Sequence, residues 1–456
     1  MKVLNKFTGE DFTEVTETGL KESRDILSRG IKASSEIAQL PLYSVHDALM
    51  AISQEIRKNT IELARIITVE SGKPIRNSRV EVDRASRVFA IAAEEATRAG
   101  GETIPFDTEE RGLNRLAFYN RLPLGLIYSI TAFSDPLSLA AHKIAPALAT
   151  RNAIINKPSS MTPVSAMKLG DMVSGTELPG NVVQNVLSPG GSKISNFFLD
   201  ADSVRMVTFT GSHDTAEKIT RKAGVKKLIM ELGNNSPVIV WDDADLDSAA
   251  TSVVEAAFES QGQNCIRPQR ILVRRQSYEY FRNRVIELTS NLKVGDPMDE
   301  NTDIGPMINE NEAARVENEV LEARRDGADL IIGGGRDGCV FYPTILENVS
   351  LKSNVWKKEI FGPVLNLKPV DSFEEAIEIS NDVEYGLQAG VFTSDMNLAL
   401  TAIERLKYGT VLVNETSNFR LDSMPFGGMK KSGIGREGIR YSMNEMSEIK
   451  LAIIKR

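Results

Sequence analysis

The sequence contains very little cysteine and histidine, with two cysteines and three histidines in 456 residues. Cys265 and Cys339 lie far apart in the chain, which excludes the disulfide framework of a small cystine-rich domain. The histidines and cysteines do not combine in a metal-ligand spacing, and we therefore predict no metal site. Any thiol chemistry must rest on one of these two cysteines.

Long apolar runs and an excess of basic charge are also missing. The 54 basic and 62 acidic residues give a net charge of −8, without the basic stripe of a nucleic-acid-binding protein. No apolar run is long enough to span a bilayer, and the first ten residues lack the apolar stretch of a secretory signal. The composition therefore predicts a cytoplasmic protein that has neither nucleic acid nor a membrane as its partner.

Short β-type runs alternate with helical stretches from residue 126 onward, within a length that predicts about three domain-sized units. Strands are predicted at 126–130, 153–156, 182–187, 205–209 and 238–240, and helices at 163–173 and 214–223. This alternation is typical of βαβ units with a parallel sheet. A second α/β domain is predicted from strands at 270–273, 338–345, 364–370, 390–392 and 410–414. Residues 45–100 are predicted to form a two-helix hairpin, interrupted at Gly72-Lys73-Pro74.

Two further segments, at 115–122 and 449–454, look like strands that belong to neither α/β unit. A free strand edge must be paired or blunted. The two segments form either a ribbon within the chain or an arm between subunits, and the residues alone leave both arrangements open.

Cys265 stands in Gly262-Gln263-Asn264-Cys265-Ile266-Arg267, 34 positions after Glu231 in Met230-Glu231-Leu232-Gly233. A thiol in a small polar turn and a carboxylate at the end of an apolar run suit a thioester-forming enzyme. The thiolate would attack a carbonyl carbon, and the carboxylate would activate the water that later releases the acyl group. The alternative is a structural role, because a lone buried cysteine is more often a small core residue. Cys339 is predicted to be structural.

These two motifs resemble those of the aldehyde dehydrogenase superfamily. Further blocks match in the family's order: Phe209-Thr210-Gly211-Ser212, Glu359-Ile360-Phe361-Gly362-Pro363-Val364 and Pro425-Phe426-Gly427-Gly428. Several ordered blocks are a specific signal, whereas each block alone would be weak. The stretch 419–446 looks most like the lactaldehyde-dehydrogenase-like branch, whose members act on small hydroxy- or phosphono-aldehydes.

The resemblance implies an α/β fold with a Rossmann-type cofactor domain, an α/β catalytic domain and a small β oligomerisation arm. The implied ranges are 1–104 and 124–232 for the cofactor domain, 233–424 for the catalytic domain, and 105–123 and 439–456 for the arm. A homodimer or homotetramer is expected from the arm.

The expected cofactor is NAD or NADP. Gly433-Ile434-Gly435-Arg436-Glu437-Gly438 matches the dinucleotide fingerprint, but no strand precedes it and too few residues follow it for a βαβ unit. A better phosphate site is 205–212, because a β-type run ends there in Thr210-Gly211-Ser212 and a helix with free N–H donors follows. The positions that match the family's cofactor-binding residues are Phe133, Lys157, Ser160, Gly190, Gly211, Ser212, Leu232, Glu359 and Phe361. Ser160 stands where NAD-selective relatives often carry glutamate, which leaves NADP open.

The resemblance also implies catalytic roles. Cys265 would be the nucleophile and Glu231 the general base, and Lys143 and Glu437 resemble a pair that relays a proton to solvent. Ser134 occupies the position of the family's oxyanion-binding asparagine. Loss of such a donor typically costs about 100- to 1000-fold in rate, so this departure leaves full activity or weak activity open.

The implied reaction is NAD(P)-dependent oxidation of a small polar aldehyde, anionic or neutral, to its carboxylate through a thiohemiacetal and a thioester of Cys265. Arg267, Arg420 and Arg111 are candidates for binding an anionic group, and local pairing with acids is the alternative for each. Acyl transfer to coenzyme A is a second reaction to consider, although the presence of Glu231 favours release as carboxylate. A catalytically weak binding or structural member of the family is the third possibility.

Overall fold

The computed structural model describes residues Met1–Arg456, and its N-terminal part is mainly helical. The elements before the first large sheet are β1 (Lys2–Leu4), β2 (Asp11–Glu14), α1 (Leu20–Ile37), α2 (Leu42–Lys58), α3 (Thr60–Ser71), α4 (Ile75–Arg98), β3 (Glu102–Ile104) and β4 (Arg115–Pro123). The predicted two-helix hairpin at 45–100 is wrong, because three helices occupy this region. Asn59 is the one residue between α2 and α3, and its side chain donates a hydrogen bond to the Glu55 carbonyl at 2.8 Å at the end of α2.

Alternating strands and helices follow, as the sequence predicts. They are β5 (Leu126–Ile130), α5 (Pro136–Ala149), β6 (Ala153–Lys157), α6 (Val164–Ser174), β7 (Val183–Asn185), α7 (Lys193–Asp200), β8 (Val204–Thr210), α8 (His213–Ala223) and β9 (Lys227–Glu231). The strands β9, β8, β5, β6 and β7 are neighbours in this order, and all of them are parallel.

The carboxyl ends of these parallel strands form one edge. Ile130 pairs with both Lys157 and Phe209, and Thr210 pairs with Glu231. Lys157, Thr210 and Glu231 therefore end neighbouring or nearby strands of the same edge, which is where α/β sheets bind their ligands.

The next part of the chain builds the second α/β unit. Its elements are β10 (Ser236–Val240), α9 (Leu246–Phe258), β11 (Pro268–Arg274), α10 (Arg275–Ser290), α11 (Glu310–Arg325), β12 (Asp329–Ile332), β13 (Arg336–Asp337), β14 (Val340–Phe341), β15 (Thr344–Glu347), α12 (Asn354–Lys357), β16 (Val364–Val370), α13 (Phe373–Asn381), β17 (Gln388–Phe392), α14 (Met396–Arg405) and β18 (Thr410–Val413). Pro343 divides the strand predicted at 338–345 into β14 and β15, since proline has no N–H for the ladder.

The second sheet has seven strands in the order β12-β15-β16-β11-β10-β17-β18. Only β12 runs antiparallel to its neighbour. The side chains of β10 alternate between two apolar cores: Val238 and Val240 enter one core and Ile239 enters the other. Both faces of this sheet are thus covered, as expected of a parallel sheet.

The C-terminal elements return to the first unit. They are β19 (Gly433–Ile434), α15 (Ile439–Glu445) and β20 (Ser447–Lys455). The glycine-rich run that matches the dinucleotide fingerprint begins as β19, which pairs antiparallel with β9 and places Gly433 opposite Glu231. Its rejection as a cofactor loop is consistent with this position, because a 3₁₀ turn rather than a strand precedes it.

The two extended segments outside the α/β units pair with each other. β20 runs antiparallel to β4, from Ser447 opposite Pro123 to Lys455 opposite Arg115, and β3 extends the same sheet. None of the helices combines the length and the apolar character that a membrane crossing requires.

Candidate active site

A cavity of about 610 Å³ lies at the carboxyl edge of the first sheet and reaches the turn before β11. Most of the predicted site residues line it together: Phe133, Ser134, Gly211, Ser212, Glu231, Leu232, Cys265, Glu359, Phe361 and Arg420. Strand ends supply one part of this set and loops of the second unit supply the rest.

The turn that carries Cys265 is rigidly held. Ser260 and Gln261 both have left-handed backbone conformations, with φ of 51° and 57°. The Gln261 side-chain amide donates to the carbonyls of Gly72 and Pro306, each at 2.8 Å. A side chain at Gly262 would collide with the backbone of Gly362. These contacts direct the half-buried thiol of Cys265 into the cavity.

The Cys265 thiol lies among protein atoms that disfavour its ionised form. Burial, followed by the nearby carboxylate of Glu359, raises its pKa to about 12, although Arg420 acts in the opposite direction. The resting thiol is therefore protonated at neutral pH. A nucleophilic role requires a base that takes this proton.

Glu231 ends β9 and presents a carboxyl group that has no hydrogen-bond partner on either oxygen. Burial raises its pKa well above the usual range, and the neighbouring Glu437 raises it further. Gly427 leaves room for this group, since a Cβ there would lie 3.0 Å from Oε1 of Glu231. A carboxyl group with a raised pKa is a stronger base once it is ionised, and Glu231 lines the same cavity as the Cys265 thiol.

The pKa of Glu437 is shifted in the opposite direction from that of Glu231. Its carboxylate accepts hydrogen bonds from Lys143 at 2.8 Å and from Arg420 at 3.3 Å. Burial opposes its ionisation, but Lys143 and Arg420 outweigh burial and lower its pKa to about 2. Two adjacent carboxyl groups with pKa values pushed apart can take different roles in proton transfer. The predicted association of Lys143 with Glu437 agrees with this geometry.

Because of the Lys143–Glu437 pair, we expect the folding stability of the chain to depend on pH. Because the pKa of Glu437 is lower in the folded chain than its ordinary value of 4.5, its contribution is present above pH 4.5 and is lost as the pH falls toward 2. Glu437→Gln leaves Lys143 buried without its anion, which typically costs about 3–5 kcal/mol. We expect a lower thermal midpoint at pH 7 and a smaller further loss on acidification. Circular dichroism measures both. The control is Glu384→Gln, which removes an exposed partner of Lys431; equal midpoints in the two variants would contradict the prediction.

Ser134 lies in the loop between β5 and α5, and buried ions fix this loop. Lys73 donates to Glu81 at 2.5 Å and also to Asp135. Oε1 of Glu81 accepts the N–H groups of Leu137 at 2.9 Å and Ser138 at 3.1 Å, so it caps the start of α5. The loop therefore holds the Ser134 hydroxyl in the cavity wall.

The cofactor end of the cavity fits a dinucleotide. The N-terminus of α8 has no side-chain cap, which leaves its N–H groups free for a phosphate, and the buried hydroxyl of Thr210 has no partner. A side chain at Gly233 would collide with Glu359, whose pKa burial raises to about 7. The rings of Phe133 and Phe361 meet edge to face, with centroids 5.7 Å apart.

Two predicted cofactor residues lie at the end of the neighbouring strand. Lys157 ends β6, and burial alone lowers its pKa to about 8, so no acid is near enough to compensate its charge. Ser160 follows in the half-buried loop. Gly190 lies in an exposed turn after β7 and does not line the cavity.

The other end of the cavity contains arginines. Nε of Arg84 donates to Asp422 at 2.7 Å, and Nε2 of His142 lies 2.9 Å from the same carboxylate. The guanidinium of Arg420 stacks on the Phe426 ring at 3.7 Å, and its buried Nε has no partner. Arg84 and Arg420 both line the cavity and can meet an anionic group.

The other two candidate arginines are not brought to this cavity. Arg267 immediately precedes β11, and its guanidinium donates to the carbonyl of Val364 at 2.9 Å and to the side chain of Gln269 at 2.9 Å. Its hydrogen-bonding groups are used to join β11 to β16, so its expected role in substrate binding is withdrawn. Arg111 is exposed, pairs with Glu109 at 2.6 Å near the three-stranded sheet and does not line the cavity, so its expected role is also withdrawn.

Sequence reasoning missed the side chains that α4 contributes. Asn77, Glu81 and Arg84 follow one another at helical spacing and all line the cavity. A polar row on an otherwise amphipathic helix was the available signal.

Comparison with known proteins identifies clear relatives. The model of the aldehyde dehydrogenase family matches residues 1–452. The chain is 41% identical over 454 residues to aspartate-semialdehyde dehydrogenase 1 of Pseudomonas canavaninivorans, which covers 100% of this chain and 96% of the relative. It is 41% identical over 456 residues to 3-sulfolactaldehyde dehydrogenase of Priestia aryabhattai, and the match covers 100% of this chain and 94% of that relative. The crystal structure of glyceraldehyde-3-phosphate dehydrogenase GapN of Methanocaldococcus jannaschii, complexed with NADP, superposes with a TM-score of 0.96 at 38% identity, covering 100% of this chain and 99% of that one.

Proposed function

The chain belongs to the aldehyde dehydrogenase family, and we propose that it oxidises a small aldehyde carrying an anionic group to the corresponding carboxylate. It is an oxidoreductase that acts on aldehydes with NAD or NADP as cofactor. The predicted family, branch and α/β fold class are confirmed. The observation that carries the proposal is a single cavity in which the Cys265 thiol, the unpartnered Glu231 carboxyl group and two arginines come together.

The proposed cofactor contacts use the residues described above. Gly211, Ser212 and the start of α8 would hold the pyrophosphate, and Lys157 and Glu359 the riboses. Phe361 and Leu232 would flank the nicotinamide. When bound, NAD or NADP supplies the hydride acceptor for the oxidation.

The proposed chemistry begins with loss of the Sγ proton of Cys265 to water in the cavity. The thiolate attacks the carbonyl carbon, and the backbone N–H of Cys265 and the hydroxyl of Ser134 stabilise the oxyanion. After oxidation, Cys265 carries a thioester. Glu231 then accepts a proton from the attacking water, and Glu437 with Lys143 passes that proton outward.

Arg84 and Arg420 support an anionic substrate. The aldehydes named for the three relatives carry a carboxylate, a sulfonate or a phosphate. Guanidinium groups bind each of these anions through charge-assisted hydrogen bonds. Both arginines already contact acids of the chain, so the anion would share them with Asp422 and Glu437.

The test is formation of reduced nicotinamide by the purified protein with matched anionic and neutral aldehydes, using NAD and NADP separately. We expect kcat/KM to be at least about 10-fold higher for anionic aldehydes, because a charge-assisted hydrogen bond contributes about 1.5–3 kcal/mol. Ser134→Ala should lower kcat for every aldehyde, since it removes an oxyanion donor. No turnover with any aldehyde would refute the proposed oxidation, and turnover that depends on added coenzyme A would support acyl transfer instead.

We also propose that 105–123 and 439–456 form an arm that joins subunits in a homodimer or homotetramer. Apolar side chains along β20 support this, because Ile449, Leu451, Ile453 and Ile454 are 47–57% exposed in the single chain. Light scattering should give the mass of two or four chains, and the mass of one chain would refute the arm. The ranges 1–104 with 124–232, and 233–424, remain the proposed cofactor and catalytic domains, and a cytoplasmic location remains a prediction from the sequence.

A further inference from the structure

Glu259 is an acid of the cavity wall whose charge no cation of the chain balances. Its two carboxylate oxygens accept hydrogen bonds only from amide groups, one from Asn77 at 3.3 Å and one from Asn418. Glu259, Asn77 and Asn418 all line the same cavity as Cys265.

Three other acids of the cavity wall, Glu81, Asp135 and Glu312, differ in this respect. Glu81 and Asp135 share the ammonium group of Lys73, and Glu312 pairs with Arg315 at 2.8 Å. Their charges are therefore compensated within the chain. The charge of Glu259 remains available to a ligand.

A directed series of hydrogen bonds fixes Glu259 beside the nucleophile. The N–H of Ile266 donates to Asn264 at 3.1 Å, the Asn264 amide donates to Asn418 at 2.8 Å, and Asn418 donates to Glu259. An ionised carboxylate has about four acceptor sites, so two amide donors leave room for another donor. A half-buried carboxylate favours a cation over a neutral group in that position.

We propose that Glu259 recognises an ammonium group of the substrate, so that the preferred aldehyde carries both an acid group and an ammonium group. This inference rests on the proposed oxidation and narrows its substrate to the semialdehydes of amino acids. Arg84 and Arg420 bind the acid group, Glu259 binds the ammonium group, and Cys265 attacks the aldehyde carbon. Glu259 is a specificity-determining residue and takes no part in proton transfer.

The test compares aspartate 4-semialdehyde with succinate semialdehyde, which keeps the carboxylate and lacks the ammonium group. We expect the wild-type enzyme to prefer the amino substrate in kcat/KM. Glu259→Gln should lower the ratio of the two kcat/KM values about 10-fold or more, because glutamine keeps an acceptor for Asn418 but loses the charge. In the matched control, Glu312→Gln removes a compensated acid and should leave the ratio unchanged.

An unchanged ratio in Glu259→Gln, or an equal loss with both substrates, would overturn the inference. Calorimetric binding of the two products, aspartate and succinate, repeats the comparison without turnover. Selective loss of aspartate affinity in Glu259→Gln supports ammonium recognition even if neither aldehyde is oxidised, whereas equal affinities in the wild type would refute it. Failure of the oxidation and failure of the recognition are thus distinguished.

Discussion

Cys265→Ala should abolish formation of reduced nicotinamide while leaving NAD(P) affinity close to that of the wild type. Loss of a nucleophile that forms a covalent intermediate typically costs about 10⁴-fold or more. The alanine fits the turn because Ser260, Gln261 and Gly262 define its conformation, and the Cys265 side chain takes no part in those contacts. We therefore expect lost catalysis in an intact fold.

Steady-state absorbance of the reduced nicotinamide and fluorescence titration of the cofactor measure the two effects. Cys339→Ala is the matched control, since Cys339 is the second free thiol and lies outside the cavity. It should retain turnover. Retained turnover in Cys265→Ala, or its loss in Cys339→Ala, would assign the chemistry to another group.

Glu231→Gln should allow one round of oxidation and then stop. An amide cannot accept the proton of the attacking water, so hydrolysis of the thioester should slow by about 10²- to 10⁴-fold. The substitution should not lower the thermal midpoint, because the Glu231 carboxyl group is buried without a hydrogen-bond partner and its charge is costly to bury. Glu437→Gln should differ in this respect, since it breaks the buried pair with Lys143.

Rapid-mixing measurements separate the first round of oxidation from the slow hydrolysis of the thioester. The expected record is a burst of about one reduced nicotinamide per active site, followed by a slow steady rate. The burst requires only that the Cys265 thiol lose its proton to water, so Glu231→Gln should retain the burst. A normal steady rate in Glu231→Gln would exclude this residue as the base for hydrolysis.

Strand positions could be predicted from the sequence because local patterns set them. The segment 126–130 is β5 and 364–370 is β16, with the predicted bounds. The helix break at Asn59 was missed, because it depends on one side chain folding back onto Glu55 and leaves no change in hydrophobic period. Pro343 offered a signal for the divided strand that the β-type composition around it concealed.

The site was predictable where a single motif defines it. Glu231 and Gly211 meet because neighbouring parallel strands end together. Arg84 was not predictable in the same way, because its partner Asp422 is 338 positions away in the chain. Contacts over such separations depend on packing of the two α/β units.

The direction in which a side chain points could also not be predicted from the sequence. Arg267 follows the Cys265 motif and Arg420 precedes the Pro425 block, yet Arg267 is directed between β11 and β16 by the start of a strand. Arg420 follows a loop and stacks on Phe426 in the cavity. Residue type and spacing alone do not separate these two cases.

The most direct test of the central claim is intact-protein and peptide mass spectrometry of Glu231→Gln after incubation with an anionic aldehyde and NAD(P). A thioester intermediate predicts a mass increase equal to the acyl group, located on the peptide that contains Cys265 and absent without cofactor. An unmodified Cys265 in a protein that forms a full equivalent of reduced nicotinamide would contradict covalent catalysis by this residue.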